Sequence, residues 1–244
     1  MLAGQPNLSR FVCLGMLSLT FVGCSRLKFS GTCNLPADQK GSLMAPVSSV
    51  PLHVIADDEF TAQERLAITS AAAEWNTFGQ TQGQNTVFEI SSGAVPDSAR
   101  TVNPKDCAQP LGSDSTFYII KEKSSTHWQS LGFTAMIPGT TFRCSGSGSV
   151  SSQTIMINNE KTDSLQLKTV ILHELGHSLG LDHSCSDKSG ISEFVGCDQV
   201  KSDDPYHLAV MFPSIQIGDN KSVAPEVKNS LTENDKARAI CEYQ

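Results

Sequence analysis

The feature that most constrains this chain is the stretch His-Glu-Leu-Gly-His-Ser-Leu-Gly-Leu-Asp-His, residues 173–183. His173 and His177 are four residues apart, so on a helix their imidazoles lie on one face, one turn apart. Two neutral imidazoles at that separation can bind one zinc ion. Glu174 would lie beside the metal without being a ligand, where it can accept a proton from a metal-activated water. The pattern therefore predicts a zinc site with its own general base.

A glycine places the third ligand. Gly180 follows His177 by three residues. Because glycine adopts a positive φ without steric cost, the helix can end there and the chain can turn back. That turn would bring His183 to the metal, and three protein ligands leave a coordination position for water, as is typical of a catalytic zinc. The alternative is an ordinary amphipathic helix with scattered histidines, which does not explain three histidines at these offsets.

The same region resembles a known family. Residues 167–184, LKTVILHELGHSLGLDHS, resemble the active-site helix and turn of the matrixins, a branch of the metzincin metallopeptidases. Residues 210–213 resemble the Met-turn, with Met211 beneath the zinc ligands, and residues 231–243 resemble the C-terminal helix. The resemblance implies a metzincin α/β fold: a five-stranded twisted mixed sheet, three helices and a small C-terminal subdomain after Gly180. It also implies a zinc-dependent endopeptidase that hydrolyses a protein or peptide substrate, with Glu174 as general base.

The resemblance extends to substrate binding. Residues 133–137 resemble the family's exposed edge strand, to which an extended peptide can pair as an added strand; the alternative is a buried strand. Residues after the Met-turn should wall the pocket for the side chain that follows the scissile bond. The candidate substrate-binding residues are Phe133, Thr134, Ala135, Pro213, Ser214 and Ile215. We interpret residues 121–131 as a polar loop and the Gly/Ser-rich residues 139–152 as a second loop.

Further metals have less support. Matrixins place a structural zinc and calcium ions near the loop at residues 121–131. This chain lacks the His-x-Asp signature of that zinc site, so the site is not carried over, and no sequence feature supports Ca²⁺. We therefore expect one catalytic Zn²⁺ and leave the presence of Ca²⁺ open.

The cysteines indicate disulfides. The chain has eight cysteines, and six lie outside the N-terminal 24 residues. In an exported chain, six cysteines allow up to three disulfides with fifteen possible pairings. We expect Cys185 to pair with Cys197, because the two cysteines bracket a short insertion after His183. For Cys33, the alternative is a faint resemblance to the propeptide cysteine that caps the zinc in matrixins. The expected pairs are Cys185–Cys197, Cys107–Cys144 and Cys33–Cys241.

The N-terminal residues are typical of an export signal. Residues 11–22 form an apolar run of twelve residues after Arg10, too short to cross a bilayer as a helix. The ending Phe-Val-Gly-Cys24 resembles the bacterial lipobox. It implies cleavage before Cys24, a lipid anchor on that cysteine and, with Ser25 next, the outer membrane or cell surface. The alternative is simple secretion. We divide the chain into a signal peptide (1–23), a tether (24–50) and a peptidase domain (51–244).

Charge narrows the choice of partners. The chain carries 18 basic and 25 acidic residues, a net charge of −7, which argues against nucleic acid as a partner. We expect a monomer. A second hypothesis is a surface-displayed binding or adhesion module with a vestigial zinc site, and the intact Glu174 argues against it.

Overall fold

The computed structural model describes residues 27–35, 44–101, 103–108, 111–113, 115–146, 149–159, 164–186, 195–213 and 226–244. Its strands are β1 (Leu52–Asp57), β2 (Phe88–Gly93), β3 (Thr116–Glu122), β4 (Gly139–Gly146) and β5 (Ser149–Asn158). They form one sheet in the order β2-β1-β3-β5-β4. Strand β4 is antiparallel to β5, and the other neighbours are parallel. The prediction of a five-stranded mixed sheet is confirmed.

Three long and three short helices accompany the sheet in the described residues. They are α1 (Ala62–Thr81), α2 (Asp97–Thr101), α3 (Ser125–Ser130), α4 (Ser164–Ser178), α5 (Pro205–Leu208) and α6 (Glu233–Glu242). Helix α1 begins with a capping box in which Thr61 and Glu64 each bind the other's backbone N–H, which satisfies two donors that the first turn leaves unpaired. Within the described ranges, none of these helices has the length and apolar character needed to cross a membrane.

The main core lies between the sheet and the long helices. Trp75 of α1 is fully buried, and its indole Nε1 donates to the Leu172 carbonyl of α4 at 3.1 Å. Leu172, Leu175 and Leu179 are also fully buried. Burying each such side chain contributes roughly 1.5–3 kcal/mol. Helix α4, which carries the His-Glu-Leu-Gly-His motif, is therefore firmly packed.

A second apolar cluster covers the opposite face of the sheet. Trp128 is its largest buried side chain, and the Trp128 and Phe133 ring centroids are 5.1 Å apart. Phe142 of β4 packs against Phe133 with centroids 5.8 Å apart. Because side chains alternate along a strand, Phe142 faces this cluster while Thr141 faces α4.

The prediction that residues 133–137 form an edge strand was wrong. These residues form a turn, and three of their carbonyl groups accept hydrogen bonds from side chains. The Trp128 indole donates to the Thr134 carbonyl at 3.0 Å, and the Asn158 side chain donates to two further carbonyls of the turn, at 3.4 and 3.2 Å. Because residues 133–137 form no strand, they do not present the regular row of backbone groups to which an added strand pairs.

The two predicted loops beside this turn also need correction. The edge strand is β4, which lies inside the residues interpreted as a Gly/Ser-rich loop. Its poor strand composition is tolerated because β5 supplies an antiparallel ladder along its length, with one register shift between Cys144 and Ser145. The polar stretch 121–131 contains the end of β3 and helix α3, which Ser124 caps by accepting from the His127 N–H.

The segment expected to be a tether packs onto the domain where it is described. Phe29 is buried, and its ring contacts those of Phe78 and Tyr243, with centroids 5.1 and 5.4 Å away. The Met44 N–H donates to the Gly180 carbonyl at 2.7 Å. Residues 27–35 and 44–50 thus form part of the folded body.

All three predicted disulfides are present: Cys33–Cys241, Cys107–Cys144 and Cys185–Cys197. The first joins residues separated by 208 positions, and the last joins residues separated by 12. Cys33 is therefore a structural half-cystine, as expected.

Replacing both Cys33 and Cys241 with serine should lower the free energy of unfolding by about 2–5 kcal/mol, because a cross-link over a long loop removes more entropy from the unfolded chain. The matched control replaces Cys185 and Cys197, whose short loop should give a loss smaller by about 2 kcal/mol. Urea denaturation followed by tryptophan fluorescence measures both values. An equal or larger loss in the control would contradict the prediction.

Candidate active site and metal centre

The three histidines of the motif meet at one point. Helix α4 ends at Ser178, and Gly180 has φ 95°, as the sequence predicted. The turn brings His183 back, so that its ring centroid lies 5.3 Å from that of His173 and 4.9 Å from that of His177. One ligand nitrogen from each histidine lies within 4.8 Å of the other two. These residues could therefore share one ion.

Backbone carbonyls orient two of the rings. His173 donates from Nδ1 to the Val210 carbonyl, and His177 donates from Nδ1 to the Leu181 carbonyl, both at 2.7 Å. An imidazole that donates through Nδ1 keeps its lone pair on Nε2, the form that binds a metal. The donor set and its orientation fit zinc, which prefers imidazole nitrogen in tetrahedral sites.

Burial keeps two ligands neutral. Desolvation, with the nearby His183 second, lowers the pKa of His173 to about 3. Desolvation, followed by the nearby His173 and His183, also holds the pKa of His177 well below its ordinary value. Zinc binds the neutral imidazole, so these two ligands have no proton to lose at neutral pH.

Zinc affinity should therefore depend only weakly on pH. Three ordinary histidines would each compete for a proton below about pH 6.5, which raises the dissociation constant by up to about a thousandfold per pH unit. The pKa of His173 is about 3 and that of His177 lies well below its ordinary value, so as the pH falls below 6.5 we expect a rise well short of a thousandfold per unit. Competition with a chromophoric chelator at several pH values gives the slope of the logarithm of the zinc dissociation constant against pH. A slope near three would contradict this assignment.

Glu174 lies on the same helix, between the ligands and strand β4. Its side chain is 5% exposed. Desolvation raises the pKa of Glu174 to about 7, and the hydrogen bond from Thr141 opposes the rise. The Thr141 hydroxyl lies 2.6 Å from Glu174 Oε2. A carboxyl whose pKa lies near neutral pH is suited to accepting and returning a proton.

The residues after the predicted insertion pack against the helix that carries two of the ligands. Met211 is fully buried, and its sulfur would lie only 2.3 Å from a Cβ placed on Gly176. Glycine at 176, one residue before His177, is thus required for this close contact. The Asp235 carboxylate of α6 accepts from the Val210 and Met211 N–H groups at 3.0 and 3.1 Å. Helix α6 therefore fixes the backbone that receives the His173 hydrogen bond.

A buried arginine holds the third ligand from the same helix. Arg238 is fully buried, and its guanidinium donates to the Asp182 and His183 carbonyls. Desolvation lowers the pKa of Arg238 to about 10, while the nearby charge of Asp235 acts to raise it. Arg238 therefore stays protonated at neutral pH. Asp235 and Arg238 together connect α6 to both sides of the metal centre.

The structure describes only some of the other predicted site residues. Phe133 packs into the outer cluster, Thr134 is exposed and Ala135 is half-buried on the turn. Pro213 is half-buried directly after the Met-turn, whereas Ser214, Ile215 and Cys24 lie outside the described residues. Their proposed roles stay predictions.

The sequence analysis did not assign four residues that contact this centre, because the partners they meet here are distant in sequence. They are Thr141, Gly176, Asp235 and Arg238. Local patterns include two of them, since Gly176 lies inside the zinc motif and Asp235 completes a capping box with Thr232.

Family comparison agrees with this geometry. The model of the matrixin family, described as "Matrixin", matches residues 35–212. That match covers most of the chain. The protein is a matrixin. This matrixin has the three-histidine zinc site of His173, His177 and His183, and it is a zinc-dependent metalloendopeptidase. Its three disulfides indicate an oxidising, extracellular environment.

Other comparisons add little. Two solved structures, described as "Structure of myroilysin" and "Crystal structure of myroilysin", each share 13% identity with the chain. The match to the first structure covers 84% of this chain and 96% of the myroilysin chain, with a TM-score of 0.36. The second covers 91% of this chain and 99% of its own, with a TM-score of 0.37. No curated protein matches the matrixin chain.

Proposed function

We propose that Glu174 is the general base of peptide hydrolysis and that it later delivers the proton to the leaving amine. The observation that carries this proposal is its position: next to His173, 5% exposed, with one carboxylate oxygen held by Thr141. When zinc is bound by the three histidines, it supplies acidification of the attacking water and polarisation of the scissile carbonyl. The protein's own part is to keep the Glu174 carboxyl close and to exclude bulk solvent.

The substrate should bind as an extended peptide along β4. This strand lies at one end of the sheet order, with β5 as its neighbour, and it passes Glu174 at Thr141. An edge strand can pair through backbone hydrogen bonds with an added strand, largely independently of the peptide's sequence. Pairing there would lay the scissile carbonyl beside the histidine cluster.

Side-chain selection should occur next to the Met-turn. We assign Pro213, with Ser214 and Ile215, to the wall of the pocket that receives the side chain after the scissile bond, and we expect that side chain to be apolar. Thr134 and Ala135 would contact the peptide from the turn before β4, whereas the Phe133 ring is already used in packing.

For location, we propose anchoring through a lipid on Cys24 after removal of residues 1–23. The support is the sequence Phe-Val-Gly-Cys and the apolar run before it. Two acyl signals hold a protein on a membrane stably. A Cys24→Ser variant should move from the membrane fraction to the soluble fraction, with loss of the lipid mass. An unchanged distribution would show that Cys24 is not the anchor.

The peptidase assignment is tested with a peptide mixture of broad composition. The mature protein should cut peptides internally, with apolar residues enriched after the cleaved bond. A chelator should abolish cleavage, and added zinc should restore it. If the protein holds stoichiometric zinc but cuts nothing in the mixture, the binding-module hypothesis would be favoured instead.

A further inference from the structure

Thr141 of the sheet contacts Glu174 through its side chain. It lies on β4, and its hydroxyl is 2.6 Å from Glu174 Oε2 and 3.1 Å from the Glu174 carbonyl. The carboxylate is the stronger acceptor, because charge-assisted hydrogen bonds are shorter and stronger than neutral ones. The single hydroxyl proton therefore goes to Oε2.

Close packing of β4 against α4 makes this contact possible. Two residues before Thr141, on the same face of the strand, Gly139 has no side chain. A Cβ there would lie 2.7 Å from Val170 Cγ1 and 3.1 Å from Ile157 Cδ1. The strand can thus approach the helix closely enough for a short hydroxyl side chain to reach the carboxylate.

The other side-chain contacts of the strand fix its position. Arg143, two residues further on, donates to the Ala45 carbonyl in the packed N-terminal segment. Phe142 points to the opposite face and packs in the outer cluster. Thr141 is therefore carried on a strand that is held on both faces, and its hydroxyl is a fixed donor, not a mobile one.

We propose that Thr141 is a positioning residue that orients Glu174 for catalysis. The hydroxyl holds Oε2, so that the carboxyl stays in one orientation while it accepts the proton. The inference rests on the proposed role of Glu174 as general base. Because β4 is also the strand along which the substrate is proposed to pair, the same element aligns the peptide and the base. Misplacement of a catalytic group by about 1 Å can cost about a hundredfold in rate.

The test compares Thr141→Val, which removes the hydroxyl at constant shape, with Thr141→Ser, which keeps it. We expect Thr141→Val to lower kcat by about 10- to 100-fold with KM, zinc content and Tm close to those of the parent protein. Thr141→Ser should restore most of kcat. The matched control is Thr69→Val on the exposed side of α1, which also loses one hydroxyl–carbonyl hydrogen bond and should keep full activity.

A double-mutant cycle separates this role from a general structural one. In a Glu174→Ala background, Thr141→Val should change the residual kcat by less than about twofold, because the two residues act as a unit. The inference would be overturned if Thr141→Val lowered kcat equally in the parent protein and in the Glu174→Ala background. A parent-like kcat in Thr141→Val, or a kcat in Thr141→Ser as low as that of Thr141→Val, would also overturn it. If Glu174→Ala itself kept full activity, the proposed general base would fail, which is a separate outcome.

Discussion

Replacing Glu174 with alanine is expected to lower kcat for peptide cleavage by about 10²- to 10⁴-fold, the usual contribution of a general acid–base residue. Zinc should stay bound, because the three histidines and their carbonyl partners are untouched. The stability of the protein should not fall, since burial already penalises the charged form of this carboxyl and raises its pKa. The measurements are steady-state kinetics, zinc content and thermal unfolding on the same preparation.

The control for this variant is Glu74→Ala on α1. Glu74 pairs with Lys168 of the zinc helix at 3.1 Å, so its loss also removes a carboxylate that contacts α4. A partly exposed pair of this kind contributes about 0–1 kcal/mol, and we expect parent-like kinetics. Full activity in Glu174→Ala with zinc present would remove Glu174 from the mechanism, whereas loss of zinc would make its role structural.

Replacing Asp235 with alanine should strongly destabilise the folded protein. Asp235 is fully buried, and its carboxylate accepts from the Val210 and Met211 N–H groups and from the Thr232 N–H and hydroxyl. It also lies near the buried Arg238 guanidinium. Removing one partner of buried charges and hydrogen bonds costs about 3–5 kcal/mol. Denaturant unfolding should show a loss of this size.

The same substitution should weaken zinc binding by about 10- to 100-fold, because a hydrogen-bonding chain runs from Asp235 through Val210 to His173. Glu233→Ala is the matched control: it lies in the same first turn, is 92% exposed and pairs with Lys236. Such a surface change should stay within about 0.5 kcal/mol. Parent-like zinc affinity in Asp235→Ala would show that α6 does not support the ligands.

The metal centre could be predicted from sequence because its information is local. His173, His177 and Gly180 lie within three turns of one helix and its end, so spacing alone defines their geometry. The disulfide Cys185–Cys197 was predictable for a similar reason, since its cysteines bracket one insertion. These patterns do not depend on which distant segment packs against them.

The edge strand could not be predicted, because its composition misleads. Residues 133–137 are apolar and resemble a strand, but their carbonyls bind Trp128 and Asn158 side chains. The true strand β4 has small and polar residues facing α4, where Gly139 and Thr141 meet the helix directly. Strand propensity reflects packing against neighbours more than an intrinsic preference.

The contacts by which α6 holds the zinc ligands could not be predicted from sequence for a different reason. Asp235 and Arg238 are charged residues on a helix, a pattern typical of a solvated face. They are buried because their partners are backbone groups of the Met-turn and of the segment that holds His183. Those partners lie more than twenty residues away, and no periodic pattern marks them.

The Cys33–Cys241 disulfide closes most of the chain into a covalent ring. A peptidase is exposed to its own activity, and loops on its surface are the usual places for self-inflicted cuts. A single cut anywhere between residues 33 and 241 leaves both pieces joined through that sulfur bridge. A nicked molecule would therefore migrate as one species without reducing agent and as two with it, and the two halves of its catalytic centre would stay together.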